Sequence, residues 1–139
     1  MIELAFVLPW PPSTNEYWMV PRNGPLAGRR VLTKKARDYE QAAKASLIEQ
    51  GIAGLALTCK LEVEIIAREP NRIRRDISNL LKIVEDSLVH ANVIEDDWLI
   101  DDLRIRRGPL HRPDGVLEMF VRQIEAALPR GEQIDLLAG

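Results

Sequence analysis

The chain has 139 residues, 46% hydrophobic and 29% charged, with a net charge of −2. That length fits one domain with a sizeable core, and the composition excludes intrinsic disorder. No apolar run is long enough to span a bilayer and no basic start reads as a secretion signal; a lone Cys59 with no Cys/His cluster excludes an internal disulfide and a structural zinc, so a cytoplasmic protein is expected.

Ile2–Leu8 reads as a first strand, closed by Pro9. Trp10–Pro11–Pro12–Ser13–Thr14–Asn15 is rigid loop, because consecutive prolines fix φ and donate nothing to a ladder. Tyr17 and Trp18 follow, either as plugs at the core edge or as rings for stacking on bases. Pro21 to Arg30 holds two Gly, two Pro and three Arg, and reads as a mobile basic loop able to clamp DNA. Thr33 can cap a helix running to about Gln50, with Ala36, Tyr39, Ala43 and Leu47 on one face and Gly51 as the residue after its end.

Leu57–Ala67 carries the clearest strand pattern: Leu57, Cys59, Leu61, Val63 and Ile65 alternate with Thr58, Lys60, Glu62 and Glu64. A second helix is predicted over Ile77–His90, where Ile77, Leu80, Leu81, Val84 and Leu88 share a face. Asp76, Ser78 or Asn79 can cap its first turn. Trp98–Arg107 is another strand, and beyond the turn at Pro113–Asp114–Gly115 the run Val116–Ile124 returns as its partner. The tail from Glu125 is weakly helical, broken by Pro129 and Gly131. The order β-α-β-α-β-β describes a single α+β domain over residues 1–139, a sheet packed against helices, without repeat or linker.

Charge is unevenly spread. Basic residues gather at Arg29–Arg30, Lys34–Lys35–Arg37, Arg72–Arg75 and Arg104–Arg107, and acid over 95–102. A local positive patch binds a polyanion whatever the total charge. Carboxylates that hold one or two Mg²⁺ ions, with a Lys beside them, are the usual equipment for phosphodiester hydrolysis. Asp76, Lys82 and the Asp96–Asp97 pair supply those groups. They also read as a helix cap, an ion pair of Lys82 with Asp86, and a turn. Successive strand residues face opposite ways, so only one of Asp96 and Asp97 is expected to share a site with Asp76.

The run RRDISNLLKIVEDSL followed by VIEDDWLIDDLRI resembles the RusA family of Holliday junction resolvases, and the opening LPWPPSTNEYW is similar to that family's start. The likeness spans nearly the whole chain. The family's first motif, R-D-h-D-N-h-x-K with h apolar, puts its first Asp at Asp76, its Asn at Asn79 and its Lys at Lys82. Its second motif puts the D-D pair at Asp96 and Asp97, the second being the catalytic one. The resemblance implies catalytic Asp76, Lys82 and Asp97. It also implies Mg²⁺ or Mn²⁺ on Asp76, Asp97 and Asp96, and DNA contacts from Arg72, Arg74, Arg75 and Asn79. The resemblance further implies a homodimer cutting four-way junctions symmetrically, which fits a substrate with two related phosphates across a two-fold axis. One family position departs: the motif's second Asp is Ser78, a neutral and weaker metal ligand. Asp86, Asp101 and Asp102 are the acids that can replace it. Otherwise the chain is a junction-binding protein that has lost its chemistry.

Overall fold

The last of the described strands lies inside the sheet. The computed structural model describes residues 1–124. Strand β6 (Val116–Gln123) is antiparallel to both β1 (Glu3–Pro9) and β4 (Leu61–Arg68), and β5 (Ile100–Arg107) joins the far side of β4 in parallel. The strand order is β1-β6-β4-β5. The hairpin expected between β5 and β6 is therefore absent. Residues 108–115 step across the end of β4 instead, tied to it by Gly108 N–H to the Ala67 carbonyl at 3.0 Å and His111 N–H to the Glu69 carbonyl at 2.9 Å. Gly115 closes the step at φ 75°, where a Cβ would sit 2.8 Å from Pro70 Cδ, so a side chain fits neither the backbone nor the space.

Burial explains this order. Leu117, Met119 and Val121 of β6 and Leu61, Val63, Ile65 and Ala67 of β4 are buried, whereas Leu103 and Ile105 of β5 are only half-buried. The better-buried strands take the two inner places and β5 takes an edge.

Helix α2 (Lys34–Glu49) packs on β1 and on α3 (Leu80–His90), covering one face of the sheet. The predicted cap holds: the Thr33 side chain accepts from Ala36 N–H at 3.1 Å. Ala36, Tyr39, Ala43 and Leu47 form its buried face. Past its end, the Gln50 amide bonds both Val7 N–H and the Val7 carbonyl, each at 2.9 Å, and so occupies part of the open edge of β1.

Between β1 and α2 the element order departs from the sequence reading. A four-residue helix α1 (Thr14–Tyr17) and a two-stranded ribbon, β2 (Trp18–Met19) with β3 (Val31–Leu32), stand there. Elements this short leave no periodicity to read. The stretch from Pro21 to Arg30 is the ribbon's connection, closed by Gly28 N–H to the Pro21 carbonyl at 3.1 Å. Tyr17 is wholly buried and plugs the core, while Trp18 is half-buried.

Strand β4 begins at Leu61 rather than Leu57, because Leu57 pairs elsewhere, in an isolated parallel bridge to Ile94. The weak helix read from Glu125 onward lies outside the described residues. Among those residues no helix is long and apolar enough to cross a membrane.

Candidate active site

The inward alternation of β4 continues one residue past the strand, to Glu69, which is 8% exposed. A carboxylate buried alone would be costly, and Glu69 is not alone. One oxygen lies 3.3 Å from Arg75 Nη1 and the other 3.1 Å from Arg107 Nε. Arg75 also donates to Asn71 Oδ1 at 2.7 Å and to the carbonyls of Asn71 and Ile73, and Arg107 donates to the Arg75 carbonyl. The segment 71–76 is thus wound around the Arg75 guanidinium, which leaves Arg72 and Arg74 exposed on its outside.

A 3-10 turn (Ile77–Asn79) then leads into α3. Neither Asp76 nor Asn79 makes a side-chain cap, although each stands at a cap position, and Ser78 lies inside the turn. The helix is held from below instead, by buried Leu80, Ile83, Val84, Ser87 and Leu88. The Asp76 carboxylate, spared from capping, borders a cavity of about 360 Å³ with Trp10, Pro11, Asn15, Arg74 and Ile83.

Ser78, Lys82 and Asp86 recur four residues apart, one above another on the outer side of this segment. Lys82 Nζ lies 3.0 Å from Asp86 Oδ1 and 3.6 Å from Asp97 Oδ2. Asp97 reaches Lys82 because the chain after α3 is pinned down. Leu57 N–H bonds the Val93 carbonyl at 3.0 Å and Glu95 N–H bonds the Leu57 carbonyl at 2.9 Å. Asp96 then turns its carboxylate onto Trp98 N–H at 3.0 Å and caps a 3-10 turn, Asp97–Leu99. That backbone bond, with help from Asp97, holds the Asp96 carboxyl below its ordinary range. Two adjacent acids therefore do different work: Asp96 secures the turn and Asp97 meets the lysine.

The hydrogen bond to Asp86, followed by the charges of Asp86, Asp97 and Glu85, raises the Lys82 pKa, so the side chain remains a cation across the neutral range. Glu85 is pushed up, by burial first and then by Asp97. Asp86, Glu95, Asp96 and Asp97 line an opening of about 390 Å³ beside them. The other acids considered as replacements point away. Asp101 pairs with Lys60 at 3.3 Å and Asp102 with Arg104 at 3.6 Å. Of the three, Asp86 is the one at the lysine.

The carboxylate oxygens at hand are hard donors of the kind Mg²⁺ takes. Among the described residues, however, no three His, Cys, Asp or Glu side chains gather around one point. Asp76, Asp96 and Asp97 are therefore not three ligands of one point, and Asp96 is turned onto its own backbone. A pair of carboxylates still fits the ion, which commonly takes one or two from protein and completes its shell with water and substrate phosphate.

Compared with known proteins, residues 9–119 match the family model described as Endodeoxyribonuclease RusA. The chain belongs to the RusA family. A crossover junction endodeoxyribonuclease of Enterobacteria phage HK97 is 36% identical over 126 residues, covering 91% of this chain and 99% of the relative. Those of Escherichia coli O139:H28 and K12 are 30% and 29% identical over 120 residues, covering 86% of this chain and 94% of each relative. Against the RusA motif, Ser78 is the departure, and it sits one turn before Lys82, as Asp86 sits one turn after it. Sequence reasoning missed Glu69 and Glu85. The first was detectable, since position 69 keeps the inward phase of β4 and is followed by arginines in need of a partner. Glu85 gave no signal beyond standing next to Asp86.

Proposed function

We propose that this chain is a divalent-metal-dependent endodeoxyribonuclease that cuts four-way DNA junctions as a homodimer. The observation that carries the reading is Lys82 held between Asp86 and Asp97, beside a loop that presents Arg72 and Arg74, in a member of the RusA family. The charges are arranged for a phosphodiester. Arg72 and Arg74 contact the backbone and fix the register of the duplex arms. Arg75, bound to Glu69, keeps that loop in shape and adds its charge from behind. Asn79, exposed at the start of α3, offers an amide to the same strand.

Asp97 and Asp76 would hold Mg²⁺ or Mn²⁺, with Asp86 supplying the charge that Ser78 does not. The ion would neutralise the phosphate and activate water. Lys82 brings a positive charge to the phosphate oxygens, and its two carboxylate partners favour one direction for a side chain that is 59% exposed. Asp96 orients Asp97 through the turn it caps and lines the same opening. A junction is cut at two related phosphates, which is why a second copy across a two-fold axis belongs to the proposal.

The test is nicking of a mobile four-way junction in Mg²⁺ or Mn²⁺, with sedimentation to give the stoichiometry. Wild type is expected to make paired symmetric cuts, and Asp97→Asn to bind the junction without cutting it. Cutting by Asp97→Asn at the wild-type rate would remove Asp97 from the chemistry. Ser78 favours a second reading, a junction-binding protein without cleavage. It is selected if wild type binds the junction in Ca²⁺ but leaves it whole in Mg²⁺ and Mn²⁺.

A further inference from the structure

A cavity of about 520 Å³ opens between α3 and the ribbon, bordered by Asn15, Trp18, Arg30, Ser78, Asn79 and Lys82. Its lining holds two cations and no carboxylate; Lys82 is paired from outside by Asp86 and Asp97, and Arg30 is not paired among the described residues. An Asp at position 78, as in the family motif, would place an anion in this wall. Ser78 leaves a hydroxyl there, and the cavity keeps both positive charges.

Arg30 is unusually well placed for an exposed arginine. Its guanidinium carbon lies 4.1 Å from the centroid of the Trp18 ring. A guanidinium stacked on an aromatic face keeps its N–H edge free to bond while its plane is fixed. The platform under it is rigid. Trp18 opens β2, pairs with Leu32 of β3 and meets the Tyr17 ring edge-on at 4.7 Å between centroids, and Tyr17 is wholly buried. Arg30 is thus anchored to the core through two rings, and no carboxylate among the described residues pairs with it. Lys82 approaches from α3, itself fixed by Asp86 and Asp97. Ser78, Asn79 and Asn15 add hydroxyl and amide groups able to donate.

Arg30, with neutral donors beside it and the Lys82 ammonium in the same wall, suits an anion with several oxygens. The cavity also adjoins the one bordered by Asp76, with Asn15 and Asn79 in both walls, so one DNA strand can run past both. We propose that this cavity is a subsite for one backbone phosphate of the DNA strand being cut, adjacent to the scissile one, with Arg30 and Ser78 as its contacts and Lys82 shared with the reaction centre. This rests on the nuclease reading above. In it, Ser78 is a phosphate contact in its own right as well as a missing ligand.

The test is a cycle between the protein and the DNA. Junction affinity is measured over a salt series for wild type, Arg30→Gln and Arg30→Lys, on natural junctions and on junctions carrying single neutral methylphosphonates near the cut. Arg30→Gln is expected to weaken binding at low salt roughly tenfold and to flatten the log–log salt slope by about 0.9, the value for one phosphate contact. Arg30→Lys keeps the slope and loses part of the affinity. One methylphosphonate position should weaken wild type and have no further effect on Arg30→Gln. Full additivity at every position overturns the subsite, even if Arg30→Gln binds poorly, because the arginine would then support the loop or hold a free anion. Wild-type affinity and slope for Arg30→Gln, in a protein that itself binds and cuts junctions, overturns the subsite alone. A wild type that neither binds nor cuts junctions overturns the nuclease reading and the subsite with it. Matched melting temperatures for the variants confirm that folding is not the variable.

Discussion

Replacing Glu69 with Gln keeps the shape of a buried side chain and removes its charge, a change whose cost the geometry sets. The Glu69 side chain is 11% exposed, that of Arg75 25% and that of Arg107 53%. The inner pair is a charge-assisted bond in a largely water-free place, worth about 1.5–3 kcal/mol. The outer pair is screened at the half-exposed Arg107, so it adds less than about 1 kcal/mol. Gln retains one acceptor oxygen, which leaves a net loss of about 2–3 kcal/mol. For a domain of this size that corresponds to a fall in melting temperature of roughly 10 °C. Thermal and urea unfolding measure it directly. The same change should weaken junction binding, because the loop carrying Arg72 and Arg74 loses its staple, yet leave the salt slope unaltered because both cations remain. A melting temperature indistinguishable from wild type would show that Arg75 and Arg107 are equally content in water. The loop would then be held by Asn71 and the backbone alone.

Other outcomes are expected on the same footing. Ser78→Asp should shift half-maximal cleavage to lower Mg²⁺ and, in EDTA, weaken junction binding; slower cleavage at saturating metal would mean that Asp86 already fills the role. Asp96→Ala should loosen the turn it caps and reduce cleavage only partly, whereas loss as complete as that of Asp97→Asn would make Asp96 a metal ligand. Glu85→Gln should stabilise the fold above the ordinary carboxyl value of 4.5, since the folded state resists ionising Glu85. Wild type and variant should converge below that pH, where both states of Glu85 are protonated, and the gain should remain under about 1 kcal/mol because the group is partly solvated. Equal stability throughout the titration would refute the burial argument.

Helix α2 was legible because a single face repeats often enough to read, and α3 only in part: Leu80, Val84 and Leu88 are buried as expected, but Ile77 stands in a 3-10 turn, Leu81 is half-buried, and Ile83 and Ser87 complete the buried face. Ala36, Tyr39, Ala43 and Leu47 are buried as their spacing requires, and Thr33 caps them. The place of β6 was not legible, because a turn motif between two strands says that the chain reverses and does not say which strand lies alongside. The separation of Asp96 from Asp97 depends on a hydrogen bond to Trp98 N–H that leaves no trace in composition. Likewise Asp86, Asp101 and Asp102 are equivalent until Lys60 and Arg104 are seen to occupy the last two. The family motif carried the choice of Asp97 before the geometry was known. Pro21–Arg30 is a loop as its composition implies, but the strands Trp18–Met19 and Val31–Leu32 that flank it were not legible, since two-residue strands are defined by partners rather than by pattern.

The position of β6 has a consequence for how the protein is made. Glu3 and Arg122 pair across β1 and β6 although 119 residues separate them. During synthesis β1 therefore leaves the ribosome long before the strand that completes it, with α2 as its early support. The β4–α3–β5 unit, which carries Lys82, Asp86 and Asp97, can assemble sooner, but one edge of β4 stays open until β6 arrives. Such long-range closure is slow, and open edges invite pairing with another chain in the meantime. Substitutions in β6 should thus register first in yield and in dependence on chaperones, well before any effect on cleavage is seen.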